Sequence, residues 1–403
     1  MAEKRKDSKG RILKTGETER SDGRYQYRFT QNGRRYTLYA STLKELREKE
    51  DGVQKAKWNN IDYRQGQLTV SELCDILLEQ KANLRPTTKE RYQTSIKVIQ
   101  STDISCMKIS EVTIRDVKRW CVEQCKRYKP GTVRTRFQLL KQVFSIAYND
   151  RIIDRNPCHF EFHSVVSAMP TEKKSLTVRQ SEQFIQALKD DKFASKFSRL
   201  AILLLHTGIR VGECLALTKD DINFEQRLLH INKQVVRYAG QLHIAQTKTN
   251  AGERYVPLDD EAINALAEEL SIHPPTNDIY DGYNGVIFYA KKGLVHHSVI
   301  VHSFRAAIKK YNVKHSSENE LLPDITPHML RHTFCSVMAE RGLPLKVLQY
   351  VMGHSDPRIT LSVYTHISQQ WVESAFHQVS TTNLTPFLTP IQPQLVERYG
   401  EIC

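Results

Sequence analysis

The hydrophobic period changes twice along this chain, and that change requires a molecule of differently built parts. On either side of Asn32-Gly33, Arg-Tyr-Gln-Tyr-Arg-Phe-Thr (residues 24–30) and Arg-Arg-Tyr-Thr-Leu-Tyr-Ala (34–40) alternate polar or basic with aromatic side chains. A period of two marks strands buried on one face, and Asn-Gly supplies the positive φ angles of a tight hairpin turn. Thr42 followed by Glu45 is a capping box, predicting a helix to about Trp58 with Leu43, Leu46 and Val53 on its apolar side. Residues 11–14 offer a third strand, so residues 10–60 read as a small three-stranded sheet plus a helix.

From 68 to 162 the period is that of a helix throughout. Thr69 with Glu72, Thr87 with Glu90 just after Pro86, Thr113, and the turn Pro130-Gly131-Thr132 open four helices, the last running to about Asn149. On that last helix Val133, Phe137, Leu140, Phe144 and Ala147 form the core stripe, which leaves Arg134, Arg136 and Lys141 for the outer face as expected DNA contacts. Asn156-Pro157 stops the pattern, and the polar stretch 167–174 reads as a linker. Beyond it the pattern is mixed: helices over 177–189 and 197–205, strands over 228–238, 242–246 and 254–258, then helices from about Asp260. The expected fold class is multidomain α+β. It comprises a small N-terminal three-stranded sheet plus helix (1–66), a helical domain (68–165), and a mixed, mainly helical domain with a small antiparallel sheet and a C-terminal tail (171–403).

Charge follows these boundaries. The 403 residues hold 59 Lys+Arg against 45 Asp+Glu, a formal +14, and the first 170 residues carry +13 of it. A basic excess confined to part of a chain points to a polyanionic partner, with nucleic acid the commonest; charge alone equally allows a merely basic surface. Arg24, Arg28 and Arg35, interleaved with Tyr, suit a strand face lying in a DNA groove, although exposed cations on any sheet would look the same. The longest apolar run is six residues, 200–205, against the roughly 20 of a membrane span, so no membrane association and a cytoplasmic location are expected. The eight cysteines are scattered without a C-x-x-C pair. Cys121 and Cys125 stand at i, i+4, but no second pair completes a metal site, so they read as small hydrophobes.

The chemistry is concentrated in the last region. In order it offers Gly208-Ile209-Arg210-Val211-Gly212-Glu213, Thr247-Lys248-Thr249 on a hairpin, His328-Met329-Leu330-Arg331, Gly353-His354-Ser355, and Tyr364 ten residues after His354. This series resembles the tyrosine recombinase, or lambda-type integrase, family. The helical region looks like the family's core-binding domain. The N-terminal hairpin and helix are similar to the arm-binding domain of integrases from conjugative transposons of Gram-positive bacteria.

The resemblance implies that Tyr364 is the nucleophile, that Lys248 gives a proton to the leaving 5′-oxygen, and that Arg210 and Arg331 clamp the phosphate. It also makes His328 the acceptor of the tyrosine proton and His354 a hydrogen-bond donor to the phosphate. The chemistry supports those roles independently. Attack on a phosphodiester spreads negative charge over its non-bridging oxygens, so placement and fixed positive charge do most of the work. Arginine's planar fork suits that clamp better than lysine. Glu213, one helical turn from Arg210, reads as supporting it. His332, His296, His297 and His366 read as structural.

No phosphate-binding G-x-x-x-x-G-K-[ST] loop and no carboxylate cluster of a two-metal nuclease occurs. No metal or other cofactor is expected, since rejoining draws on the phosphotyrosine bond itself. The function implied is a site-specific recombinase that integrates and excises a mobile element through a 3′-phosphotyrosyl intermediate. Its partners would be double-stranded DNA at arm and core sites, three further copies of itself in a tetramer on DNA, and an accessory DNA-bending or excision factor. A DNA-binding regulator on the same scaffold and a type IB topoisomerase-like activity are the alternatives. Trp371, Val372 and Phe376 in the tail either anchor on a neighbouring subunit or fold back on their own domain.

Overall fold

In the computed structural model of the protein, the segment of period two is an antiparallel sheet. Strands β1 (Glu17–Glu19), β2 (Tyr25–Gln31) and β3 (Arg34–Ala40) lie in that order, with β2 and β3 paired from Tyr25↔Ala40 to Gln31↔Arg34. The structure describes residues 5–31, 33–58, 67–167, 175–247, 250–291, 293–315 and 321–364. Tyr25, Tyr27 and Phe29 share the inner face and are buried with Leu43, Leu46 and Val53 of helix α1 (Leu43–Trp58). Each such side chain contributes about 1.5–3 kcal/mol by leaving water. Arg28 and Arg35 lie on the outer, exposed face. Arg24 is also exposed, just before β2, and donates to Asp22 Oδ2 at 2.8 Å.

The third strand is Glu17–Glu19 rather than residues 11–14, which make only a bridge between Ile12 and Lys6. The reason is an ion pair that hydrophobic patterning does not register. Glu17 is fully buried, accepts from Arg47 Nε at 3.0 Å and from the Lys14 amide at 2.7 Å, and so fixes the edge of β2.

Four helices follow: α2 (Val70–Gln80), α3 (Pro86–Gln100), α4 (Ile114–Cys125) and α5 (Pro130–Asn149). Thr69 with Glu72 and Thr113 with Asp116 close capping boxes at α2 and α4. Helix α3 differs from the sequence reading. Its first residue is Pro86 and Arg85 holds the cap position without a side-chain hydrogen bond, so Thr87 and Glu90 lie inside the helix. Proline's fixed φ and missing N–H favour the first helical position, which moves the cap from Thr87 to Arg85 and the start two residues earlier. The stripe Val133, Phe137, Leu140, Phe144, Ala147 is buried with Trp120, Cys121 and Cys158, and burial pushes the Cys121 thiol up to about 12. Arg134 is exposed and Lys141 half-buried, but Arg136 does not point outward. It is 8% exposed with its guanidinium 3.8 Å above the Tyr128 ring. Three residues after Val133 and four before Leu140, it belongs to the flank of the core stripe.

These elements lie within one compact unit, residues 1–170; a second unit spans 171–403. The second holds helices α6 (Val178–Lys189), α7 (Ser198–Thr207) and α8 (Val211–Cys214), then strands β4 (Ile222–Asn223), β5 (Leu228–Ile231), β6 (Lys233–Tyr238), β7 (Gln241–Gln246) and β8 (Arg254–Pro257). After them come α9 (Asp260–Ile272), the short β9 (Tyr289–Ala290) and β10 (Gly293–Leu294), α10 (His297–Lys314), α11 (Pro327–Glu340), α12 (Leu345–Met352) and α13 (Pro357–Tyr364). The apolar run of residues 200–205 lies in α7, whose Leu200, Leu203 and Leu204 are fully buried in the core shared with α9 and α11. None of the helices among the described residues is long and apolar enough to cross a membrane.

The segment read as one strand over 228–238 is two. It breaks at Asn232, so β4-β5-β8 form one sheet and β6-β7 a separate hairpin. Lys233 explains the break: its side chain is buried and donates to both carboxylate oxygens of Asp221, at 2.5 and 2.6 Å. That anchors the start of β6 away from β8.

Candidate active site

The site is assembled where α7, α8, β8, α11 and α12 meet. Helix α7 ends at Gly208 in the left-handed conformation (φ +63), and an added Cβ there would drive into the Phe334 ring. The chain then turns through buried Ile209 to Arg210, the N-cap of α8. The Arg210 amide donates to Glu213 Oε2 at 2.8 Å, its Nη1 to Glu213 Oε1 at 2.7 Å, and its Nη2 to the Gly353 carbonyl at 2.8 Å. The Arg210 side chain keeps 41% exposure while Glu213 is buried to 2%.

Arg331, one turn into α11, is 3% exposed; its Nη1 donates to the Gly208 carbonyl at 2.6 Å and its Nη2 to the Met352 carbonyl. Burial, reinforced by Arg210 and only partly offset by Glu213, pulls its guanidinium down to about 9, so it stays charged at neutral pH. Arg254, the first residue of β8, is 1% exposed. It donates to Glu213 Oε2 at 2.8 Å, to the Val351 carbonyl at 2.7 Å and to the Gly252 carbonyl at 2.9 Å.

These contacts share a pattern. The carbonyls of Val351, Met352 and Gly353, consecutive at the C-terminus of α12, accept from Arg254, Arg331 and Arg210 respectively. Terminal helix carbonyls lack partners within the helix and carry the negative end of its dipole, so they are natural seats for buried cations. The helix closes at Gly353 (φ +60), where a Cβ would lie 2.9 Å from the Arg254 Cζ. His354 follows directly. Its Nδ1 lies 2.9 Å from Thr360 Oγ1 and its carbonyl accepts from Gln349 Nε2 at 3.0 Å. Burial, then the charges of Arg331, Arg210 and Arg254 and of His328, push its imidazole down to about 4, so the ring is neutral in neutral solution. For Glu213, burial alone would raise the carboxyl; the hydrogen bond and charge of Arg254, then the charge of Arg210, hold it below the usual carboxylate value.

The structure thus brings Arg210, Glu213, Arg331 and His354 together, with His328 exposed on the first turn of α11 behind the Thr326 cap and close enough to bear on His354. Tyr364 is the last residue of α13; its side chain, Lys248, His366, Trp371, Val372 and Phe376 lie outside the described residues. His296 caps α10, accepting from the Ser298 amide. Arg254 is the residue that reading the sequence missed. A signal was present: in β8 the buried positions are Arg254 and Val256, so an arginine occupies an inward register where strand alternation asks for an apolar side chain.

Comparison with known proteins decides the family. Profiles described as the phage integrase family, the DNA binding domain of Tn916 integrase and the phage integrase SAM-like domain match residues 174–370, 1–57 and 69–165. The transposase from transposon Tn916 of Enterococcus faecalis is 33% identical over 388 residues, which cover 91% of this chain and 94% of that one. The chain belongs to the phage integrase family of tyrosine recombinases.

This recombinase is of the conjugative-transposon subgroup, a site-specific enzyme of mobile-element integration and excision with the multidomain α+β fold of its family. A Tn1549 transposon integrase in complex with a circular intermediate DNA is 29% identical and superposes with a TM-score of 0.71, covering 77% of the recombinase and 99% of that chain. The lambda integrase tetramer bound to a Holliday junction, at 16% identity and TM-score 0.56 over 86% of the recombinase and 94% of that chain, shares the fold. Every described residue of the site falls within the span matched by the phage integrase profile.

Proposed function

We propose that the recombinase cleaves DNA by attack of the Tyr364 hydroxyl oxygen on a phosphodiester clamped by Arg210 and Arg331. The phosphorus–oxygen bond to the 5′-oxygen breaks as the bond to Tyr364 forms, leaving a 3′-phosphotyrosyl link and a free 5′-hydroxyl. His328 takes the tyrosine proton and Lys248 gives one to the leaving 5′-oxygen. A 5′-hydroxyl from another strand reverses the step and rejoins the DNA, so the phosphoester energy is conserved. Nδ1 of the neutral His354 ring pairs with Thr360 Oγ1; in this reading Thr360 is the donor, so the ring proton sits on Nε2 as a donor to the phosphate.

The observation that carries this reading is the backbone cradle of the two arginines. Among the described residues, protein carbonyls and Glu213 occupy one N–H on each terminal nitrogen of both guanidinium groups, leaving the others for a phosphate. A charged group held by fixed dipoles before the substrate arrives needs no reorganisation in the transition state.

In the same reading, residues 1–66 hold arm sites through Arg24, Arg28 and Arg35, residues 68–165 hold core sites with Arg134 and Lys141 facing DNA, and 171–403 cleaves. Four copies exchange strands through a Holliday junction, with an accessory DNA-bending or excision factor setting direction, on DNA in the bacterial cytoplasm. The basic excess of the first 170 residues and the resemblance in fold to the lambda integrase tetramer support this arrangement. The test is Tyr364→Phe on a duplex bearing the joined ends of the encoding element, nicked just beyond the scissile phosphate. Covalent protein–DNA adducts should vanish while DNA binding persists; adducts that persist overturn the assignment of the nucleophile.

A further inference from the structure

We infer that Arg254 is a positioning residue for strand cleavage: it holds the carboxylate of Glu213, and through it the guanidinium of Arg210, in the geometry that receives the phosphate. This rests on the reading of Arg210 as a phosphate ligand. Arg254 itself is 1% exposed, so it acts through its partners.

Its hydrogen bonds tie three separate segments. Nη2 reaches Glu213 in α8, Nε the Val351 carbonyl at the end of α12, and Nη1 the Gly252 carbonyl beside the segment that carries Lys248. Glu213 is in turn shared. Its Oε1 accepts from Arg210 Nη1, and its Oε2 from both the Arg210 amide and Arg254. A side chain as open to water as Arg210, at 41%, holds one rotamer only if its anchor is fixed, and Arg254 is the group that fixes it. Gly353 belongs to the same device, because a larger residue there would meet the Arg254 guanidinium. A buried arginine at a strand position that an apolar residue would fill is a costly way merely to pack a core; three simultaneous anchors are something an apolar residue cannot supply.

The charged groups facing Glu213 are Arg210 from its own turn, Arg254 from β8 and Arg331 from α11, with the thiol of Cys214 adjacent. Removing the Arg254 charge leaves a buried carboxylate with less to hold it ionised, so its proton affinity rises and protonation loosens Arg210 in mildly acidic solution. A residue that only stabilised the fold would not shift the pH dependence of cleavage.

The experiment uses the full chain and the nicked joined-end duplex, measuring single-turnover cleavage at saturating DNA from about pH 5 to 9, alongside DNA affinity. Arg254→Gln is expected to slow cleavage by about 10²-fold, the scale of a misplaced catalytic group, with affinity within about twofold. It should also show an acid limb additional to the one that His328, as proton acceptor, gives the unsubstituted protein. Arg254→Lys, which keeps the charge, should suppress most of that limb while remaining slow, and Glu213→Gln combined with Arg254→Gln should lose it. If Arg254→Gln does not fold, Arg254→Lys against the unsubstituted protein carries the test through its rate. Unchanged cleavage per bound protein with an unchanged pH profile, whatever happens to the melting temperature, overturns the inference. Arg210→Lys run in parallel separates the two failures. If it cleaves normally, the site reading itself fails; if it is defective while the Arg254 variants cleave normally, only the role of Arg254 is lost.

Discussion

Two sets of arginines in this molecule use the same guanidinium in opposite ways. Arg28 and Arg35 project from the outer face of the N-terminal sheet, exposed to solvent. Arg331 and Arg254 are almost wholly buried, and with Arg210 they are seated on successive carbonyls at the end of α12. Exposed charges act at a distance set by salt, about 10 Å at 0.1 M, and draw in any polyanion. Seated charges are screened far less and are already aimed. The difference teaches that net charge reports attachment and not chemistry. The region 171–403 carries only about +1, yet it holds every cation of the site.

The sharpest way to break that distinction is Arg331→Lys, which keeps the charge and removes the fork. A lysine cannot donate to the Gly208 and Met352 carbonyls together while facing a phosphate. Single-turnover cleavage of the nicked duplex should fall by about 10³-fold, equivalent to roughly 4 kcal/mol of transition-state stabilisation, with DNA affinity and its salt dependence almost unchanged. If affinity drops in step with cleavage, the seated arginines are ordinary DNA contacts and the two sets do not differ in kind.

A smaller effect tests the seat rather than the cation. In Gly208→Ala the new methyl would meet Phe334, and would lie 2.9 Å from Met352 Sδ, at a backbone angle (φ +63) that side chains other than glycine tolerate poorly. Strain and overpacking together cost about 2–4 kcal/mol. The calorimetric transition of the catalytic unit should drop by roughly 5–10 °C, and cleavage should slow because the carbonyl that holds Arg331 moves. A melting temperature within a degree of the parent would mean that the turn is slack and the cradle is not preorganised.

Much of this was legible in the sequence, for reasons that also explain what was not. The hairpin around Asn32-Gly33, the caps at Thr69 and Thr113 and the buried stripe from Val133 to Ala147 follow from local turn chemistry and period, which depend only on near neighbours in the chain. Arg210, Arg331 and His354 were visible because their motifs are compact, and Glu213 because it stands one turn from Arg210. The start of α3 was misread for a local reason, Pro86 taking the first helical position ahead of Thr87; the other misreadings share another cause. β1 is set by Glu17 pairing with Arg47 thirty residues away, the break at Asn232 by Lys233 reaching Asp221, and the burial of Arg136 by Tyr128 above it. Arg254 likewise matters through Glu213 and Val351, 41 and 97 residues distant. In each case a polar residue breaks a hydrophobic pattern because its partner lies outside its own helix or strand, and no local rule reveals the partner.

The smallest expected effect belongs to the exposed set. Removing one cation from a DNA phosphate should reduce the slope of log affinity against log salt by about 1, so Arg28→Ala with Arg35→Ala should flatten it by about 2 on duplex containing the arm site. Affinity at about 0.1 M salt should weaken by roughly tenfold, and the two alanines should matter less as salt rises, because fewer counterions are released. Arg24→Ala should change the slope less than either, since Arg24 is already paired with Asp22, with hydrogen bonds from Nε and Nη2 at 3.0 and 2.8 Å, and the aspartate offsets part of its charge. Ranking the three by salt titration therefore tests geometry as well as charge. A larger change at Arg24 than at Arg28 would place the DNA along the edge near the β1–β2 turn instead of across the outer face of β2 and β3, and would remove the exposed half of the comparison.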